Sequence, residues 1–137
     1  MKNLKLLFAS ILLISAFAFN SCTPNKDFTP PTDEVLTHNN WSIDYFYKTK
    51  DLTPDYSGYS FLFSSTGAVV MEKQNETNLG TWRISADQNN SEIISINFNT
   101  TDDNISKFNQ QWKVTGKTSS LLQFEGNAGS SQLRIRH

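Results

Sequence analysis

The chain contains very little cysteine and histidine. Of its 137 residues, one is cysteine and two are histidine. One cysteine cannot form an internal disulfide, and together with two distant histidines it does not make the Cys/His cluster that holds zinc. His38 precedes the first predicted strand and His137 is the last residue, so no Ser-His-Asp arrangement is indicated either. The sequence predicts no catalytic residues, no metal site and no cofactor, and we expect a protein that is not an enzyme.

An excess of positive charge is also missing. The chain has 12 Lys and Arg against 13 Asp and Glu, for a net charge of −1. The basic residues form no patch or stripe of the kind that nucleic-acid-binding domains use. Asp102-Asp103-Asn104 resembles a fragment of a calcium loop, but the spacing and the distal glutamate are absent, which favours a solvated turn. We therefore expect no nucleic acid as a partner.

The one long apolar run, residues 6–19, is too short for a membrane-spanning helix, which needs about 20 apolar residues. Lys2 and Lys5 precede the run, and Asn20-Ser21-Cys22 follows it. A basic start, a short apolar core and a small-residue cleavage site are typical of a secretory signal. The sequence predicts that residues 1–21 are a signal peptide that is removed.

The only cysteine, Cys22, stands at the predicted cleavage point. An unpaired thiol in an oxidising compartment is a liability, and lipidation would consume it. An ordinary signal peptide with an incidental cysteine is the alternative. The segment resembles a bacterial lipoprotein signal, with the loose residues before the cysteine that Bacteroidetes lipoproteins show. The resemblance implies an acyl (palmitate-type) anchor on Cys22 and a location in the cell envelope, at the outer membrane, facing the periplasm or the cell surface.

A proline-bearing segment follows the cysteine. Pro24, Pro30 and Pro31 fall within residues 23–34, which contain only one large aromatic side chain, Phe28. Proline favours extended chain and removes backbone donors, so we predict that residues 22–36 form a tether. The folded domain is predicted over residues 37–137, beginning near Leu36 or Trp41.

From residue 41 onward apolar side chains recur with a period of two, which indicates half-buried strands. Gly, Asn, Asp and Ser clusters separate the apolar segments, and no segment shows the helical period. Phe46 interrupts the alternation of the first strand. The eight predicted strands are 41–48, 59–63, 68–73, 79–85, 92–99, 108–115, 121–125 and 132–136.

Eight short strands with short connections predict an all-β fold. Such a set of strands removes its edges either by closing into a barrel or by stacking into a sandwich. Short, regular connections favour an up-and-down order, so we predict an eight-stranded antiparallel up-and-down barrel without a C-terminal helix. An outer-membrane barrel is disfavoured, because its strands would need about 9–11 residues with an apolar outer face.

The order of several short motifs resembles that of small lipocalin-like domains from Bacteroidetes lipoproteins. The similarity extends from Leu36 to His137, and Gly80-Thr81-Trp82 matches the Gly-Thr-Trp of their fourth strand closely. Asn40 stands where these domains often have glycine, and Thr66 where aspartate is common. The other matching segments are Leu36 with Trp41, Phe61-Leu62-Phe63 with Gly67, Trp112-Lys113-Val114 and Leu121-Leu122-Gln123-Phe124.

The resemblance implies a carrier of a small apolar or amphipathic ligand, although an eight-stranded barrel can also be filled by its own side chains. The alternative is a module with a filled core that binds or inhibits another envelope protein. We expect a monomer. The tentative ligand-binding residues are Trp41, Tyr45, Tyr59, Phe61, Trp82 and Trp112. The predicted inner face contains these six and Ile43, Phe63, Ile84, Ile94, Ile96, Phe98, Val114, Leu122, Phe124, Leu133 and Ile135.

Overall fold

A computed structural model describes residues 30–126 and 129–137 of the chain. The predicted signal peptide, Cys22 and the first part of the predicted tether lie outside the described residues. Nine strands are present in the described part. They are β1 (Asn40–Lys48), β2 (Lys50–Asp51), β3 (Ser60–Phe63), β4 (Ala68–Lys73), β5 (Glu76–Ala86), β6 (Glu92–Phe98), β7 (Gln110–Lys117), β8 (Leu121–Gly126) and β9 (Ser131–Arg136).

The strands form one antiparallel sheet that closes on itself. From β3 to β9 each strand pairs with the next in the chain, β1 pairs with β3, and β9 returns to pair with β1. The two-residue strand β2 pairs only with the end of β1 and lies outside this ring. Closure removes the two edges that an open sheet would expose. The predicted all-β, eight-stranded up-and-down barrel is confirmed.

Within the described residues, three short helical segments of four to six residues lie at the ends of the barrel. They are α1 (Thr32–Thr37), a 3₁₀ helix (Thr53–Tyr56) and α2 (Asp103–Ser106). None was predicted, because four to six residues are too few to show a helical period in the sequence. We call the end where β1 begins the α1 end, and the opposite end the α2 end. No helix in the described residues has the length and apolar character needed to cross a membrane.

The helix α1 moves the start of the domain toward the N-terminus. Thr32, Val35 and Leu36 are buried, and Val35 and Leu36 belong to the hydrophobic core. The C-terminal part of the predicted tether, residues 32–36, therefore lies in a helix that packs on the core. The burial of one helical face decides this, and the three nearby prolines conceal it in the sequence.

A β-bulge in β1 changes which of its side chains face inward. The register against β9 shifts between Ile43 and Tyr45. An extra residue in one strand reverses the side-chain alternation beyond it. Phe46 is consequently fully buried, whereas Tyr45 faces the outside of the barrel and is only half-buried. Phe46 interrupts the period-two alternation of the sequence because of this bulge.

Most of the predicted inner face is confirmed. Ile43, Tyr59 and Val114 are partly buried and pack against the core. The prediction that Tyr45 faces inward was wrong because of the bulge. Ile84 is 37% exposed because β5 extends beyond β4 at the α1 end. The buried members are Trp41, Phe61, Phe63, Trp82, Ile94, Ile96, Phe98, Trp112, Leu122, Phe124, Leu133 and Ile135.

Candidate functional site

The interior of the barrel is filled by side chains. Trp41, Phe61 and Trp112 have no exposed surface, and Trp82 is 8% exposed. An interior cavity, which Phe61 and Trp112 help to line, has a volume of about 10 Å³. Ligand sites usually measure about 300–1,000 Å³, and 10 Å³ is about the space of one water molecule. Its lining is Phe61, Phe63, Ile94, Ile96, Trp112, Phe124, Leu133 and Ile135. Trp41, Phe61, Trp82 and Trp112 are four of the six tentative ligand-binding residues, and they therefore belong to the core.

The α1 end of the barrel is closed by the helix α1. The indole N–H of Trp41 donates to the Leu36 carbonyl at 3.0 Å, which ties the helix to the start of β1. The Thr32 hydroxyl donates to the Glu92 carboxylate and accepts from Lys117 Nζ at 3.0 Å. Glu92 begins β6 and Lys117 ends β7, so this network holds the helix against the opposite wall.

The α2 end is closed by an aromatic cluster. The rings of Phe46 and Phe108 stack at 4.7 Å between centroids, and Tyr56 contacts Phe46 at 5.1 Å and Phe108 at 5.2 Å. The Tyr56 hydroxyl donates to the Asn104 carbonyl at 2.8 Å, joining the 3₁₀ helix to α2. Tyr59 lies at the margin of this cluster, half-buried, with Lys73 Nζ 4.7 Å from its ring centroid.

Two tyrosines at this end have perturbed acidities. Burial, followed by the nearby charges of Asp55 and Asp102, raises the pKa of Tyr56. Burial, followed by Glu76 and Asp102, raises the pKa of Tyr59. The raised pKa keeps both hydroxyls protonated further into the alkaline range, and the Tyr56 hydroxyl uses its proton in the hydrogen bond to Asn104. The arrangement serves to hold the end of the barrel closed.

Tyr45 borders a groove on the outside of the barrel. The groove has a volume of about 370 Å³ and lies over β7, β8, β9 and β1. The Arg134 guanidinium carbon lies 5.6 Å from the Tyr45 ring centroid, and Arg134 Nε makes an ion pair with Asp44. Amide, carboxylate and guanidinium groups can hydrogen-bond a polar surface here. The full lining is Tyr45, Thr115, Gln123, Phe124, Glu125, Gln132, Leu133 and Arg134.

A row of apolar side chains crosses the outer face of β3, β4 and β5. Leu62 pairs with Val70, and Val70 pairs with Leu79, so the three lie side by side. Leu62 is 43% exposed and Leu79 is 68% exposed. We call these three residues the apolar row. Sequence reasoning missed it because it counted only the inner face, although leucines at outward positions of an alternating strand were the available signal.

The described residues do not carry a metal-binding cluster. No group of three or more His, Cys, Asp or Glu side chains converges in residues 30–126 and 129–137. Asp102, which the sequence suggested as part of a turn, accepts a hydrogen bond from the Asn104 amide at 2.7 Å and caps α2. The outer groove and the apolar row are two features that the outer surface of the described barrel presents for binding.

Comparison with known proteins supports the fold. A crystal structure of a DUF4847 family protein from Bacteroides vulgatus is similar to this chain, with a TM-score of 0.60 and 17% sequence identity. The match covers 78% of this chain and 97% of that one. No family model matches the chain, and no curated protein matches it. At this identity the similarity shows the fold alone; its source agrees with the bacterial group named from the sequence.

Proposed function

We propose that this protein is a lipid-anchored, non-enzymatic protein of the bacterial cell envelope that binds another protein through the outside of its barrel. The observation that supports this most directly is the interior cavity of about 10 Å³, closed at both ends by α1 and by the aromatic cluster. A carrier would need about thirty times that volume. The filled core favours the interaction or inhibitor module over the internal carrier.

The apolar row supports a protein partner. Apolar side chains grouped on an outer sheet face are typical of binding surfaces, whereas single exposed leucines are ordinary. The paired positions flanking the row carry Ser60, Glu72 and Thr77 on one side and Ala68 and Thr81 on the other. A nearly uncharged rim around an apolar centre resembles the anatomy of protein interfaces. Covering the exposed part of Leu79 would contribute about 1 kcal/mol.

The carrier and the interaction module are separated by two measurements. Native mass spectrometry of gently purified protein, with a fatty-acid titration followed by tryptophan fluorescence, should detect no bound small molecule and no saturable change. Cross-linking in envelope extract should yield a defined partner that Leu62→Ser with Leu79→Ser loses. Thr77→Ser is the control, since it alters the same face while removing only one methyl group beside the row. A co-purifying lipid, or a partner unaffected by the leucine changes, would contradict the proposal.

The anchor is tested separately. Cys22→Ser should move the protein from the membrane fraction to the soluble fraction, because the acylated sulfur is the proposed attachment point. Thr23→Ser is the matched control and should remain with the membranes. Retention of the Cys22→Ser protein in the membrane fraction after signal cleavage would show that another feature holds it there.

A further inference from the structure

The strand β5 keeps an unpaired edge at its C-terminal end. β5 pairs with β4 only from Glu76 to Thr81, whereas it pairs with β6 from Gly80 to Ala86. Its last four residues therefore have a neighbour on one side only. All four, Arg83, Ile84, Ser85 and Ala86, are exposed. This is a short exception to the closure of the sheet, located at the α1 end.

Two hydrogen bonds establish which backbone groups face the open side. The amide of Trp82 donates to the Gly67 carbonyl at 2.9 Å, on the β4 side, and the amide of Asp87 donates to the Ser91 carbonyl at 3.0 Å, on the β6 side. Backbone groups alternate between the two sides of a strand. Ile84 and Ala86 therefore direct their N–H and C=O groups to the open side. No strand of the described chain pairs with them there.

We infer that this edge binds the same edge of a second copy of this chain, forming a symmetric dimer in place of the monomer expected from the sequence. The sequence of the edge, Arg83-Ile84-Ser85-Ala86-Asp87, is complementary to itself in the antiparallel direction. With Ser85 opposite Ser85 at the two-fold axis, Ile84 lies opposite Ala86 and both pairs exchange their hydrogen bonds. The inference does not depend on the proposed function.

Charge selects this register. Arg83 lies on the outer face of β5 and Asp87 directly follows its last residue, Ala86. If the extended pairing continues to Asp87, each Arg83 of the symmetric dimer lies opposite Asp87 of the second copy. Opposite charges directly across an antiparallel pair are favourable, and like charges are not. A shift of the centre toward Ile84 would require the Trp82 amide, which already donates to Gly67. Dimerisation in the Ser85-centred register would also cover Ile84, which is 37% exposed.

The edge also differs from a protected one. Natural edges are commonly blunted by proline, by charged side chains, especially lysine, or by inward-pointing charge. The open stretch of β5 has no proline, its inward side chains are Ile84 and Ala86, and its one charged residue, Arg83, is balanced by Asp87 just beyond the strand. Each of these features permits pairing with an identical edge.

Sedimentation velocity over a concentration series tests the dimer. We use the full chain carrying Cys22→Ser, which excludes a disulfide-linked dimer, and expect concentration-dependent self-association. Arg83→Glu should weaken it at least about tenfold, because the introduced carboxylate would oppose that of Asp87. Lys50→Glu, a charge reversal on β2 at the other end of the barrel, should leave it unchanged. A monomer at every concentration, or equal association of Arg83→Glu and the parent, would overturn the inference.

A mixing experiment tests the register itself. Asp87→Lys should not self-associate, since the introduced ammonium group would oppose the guanidinium of Arg83. Mixed with the Arg83→Glu variant, it should form a heterodimer. In that heterodimer each basic side chain at position 83 or 87 of one variant lies opposite an acidic side chain of the other. Asp87 Oδ1 accepts from the amides of Asn89 and Ser91, so circular dichroism must first show that Asp87→Lys is folded. Folded variants that fail to associate when mixed would contradict the pairing.

Amide exchange gives a readout that needs no charged variant. The Ile84 and Ala86 amides of the parent should exchange rapidly in dilute solution and become protected as concentration rises. The Arg83 and Ser85 amides, which face β6, should be protected throughout. Protection of Ile84 and Ala86 that is independent of concentration would show that the chain covers its own edge, and absence of protection at all concentrations would show that nothing does. Either result would overturn the dimer.

Discussion

Glycine at position 80 allows two neighbouring strands to approach each other at an inward-facing position. A Cβ there would lie 2.6 Å from the Asn97 carbonyl oxygen and 2.7 Å from Phe98 Cδ1. One of these atoms belongs to the backbone of β6 and the other to a buried ring, so neither can move freely. The Gly-Thr-Trp motif thus has a steric reason for its first residue.

Gly80→Ala should lower the free energy of unfolding by about 1–3 kcal/mol, as overpacking in a dense core does. Thr81→Ala changes the next, exposed side chain and should cost about 0.5 kcal/mol or less. Urea unfolding of both variants gives the comparison. Equal midpoints would show that the strands separate at little cost.

Tyr56 couples the closure of the α2 end to pH. Its folded-state pKa is raised by burial and then by Asp55 and Asp102, so the native protein keeps the proton more tightly than the unfolded chain. The resulting stability is complete below the ordinary tyrosine pKa of 10.0 and is lost as pH rises from there toward the raised value.

Tyr56→Phe should cost about 1 kcal/mol at neutral pH, since it removes the hydrogen bond to Asn104. It should also flatten the decline in stability above pH 10. Tyr47→Phe, which removes an exposed hydroxyl bonded to Thr49, is the control and should change neutral-pH stability little. The measurement is the free energy of unfolding at neutral and at alkaline pH. An equal fall in Tyr56→Phe and in the parent would disprove the coupling.

At the scale of elements, short helices decide how the barrel is closed. α1 has six residues and no side-chain cap, so it would not persist alone in water. Its stability comes from burial of Val35 and Leu36 and from the contact of Thr32 with Glu92 and Lys117. The helix exists because the barrel end offers it an apolar surface and a polar attachment.

Thr32→Val should loosen this attachment. Loss of the hydroxyl leaves Glu92 and Lys117 without their shared partner, at a cost of about 1–2 kcal/mol. Amide exchange should accelerate in α1 more than in the strands. Thr37→Val removes a hydroxyl that bonds only to carbonyls of its own helix, so it serves as the control. Uniform acceleration across all elements would instead indicate global destabilisation.

At the scale of the whole molecule, the barrel is closed by the pairing of its first and last strands. Residues 42–48 pair with residues 131–136, so the contact joins distant parts of the chain. Leu133 is 3% exposed and lies between Phe46 on β1 and Phe124 on β8. Closure and core formation are therefore a single event, and unfolding should be cooperative.

Leu133→Ala should lower the free energy of unfolding by about 2–5 kcal/mol, because the closed core cannot collapse fully around the lost side chain. Circular dichroism and tryptophan fluorescence should still report one coincident transition. Gln132→Ala, on the exposed face of the same strand, should change stability little. Separate transitions in Leu133→Ala would mean that the β1–β9 closure opens independently.

Much of the fold was predictable because it follows from local alternation. A period of two places Trp41, Phe61, Trp82 and Trp112 on one face wherever the strands pair, and turn residues separate the strands. The candidate site was less predictable. The sequence assigned Tyr45 to the interior, but the bulge against β9 turned it toward the outer groove. A bulge depends on the register of a partner strand some 90 residues away, which the local pattern does not contain.

The sequence by itself determined the strand pattern and most of the strand residues that face the core, and it favoured the barrel, since each depends on which face of a strand is apolar. It also carries the prediction of a lipidated Cys22, which lies outside the described residues. Only the tertiary structure decided that the interior is full, that short helices close both ends and that β5 extends beyond its neighbour. The free volume inside the barrel and the backbone groups left unpaired both depend on the positions of all the elements together. Neither is therefore contained in the local sequence of one segment.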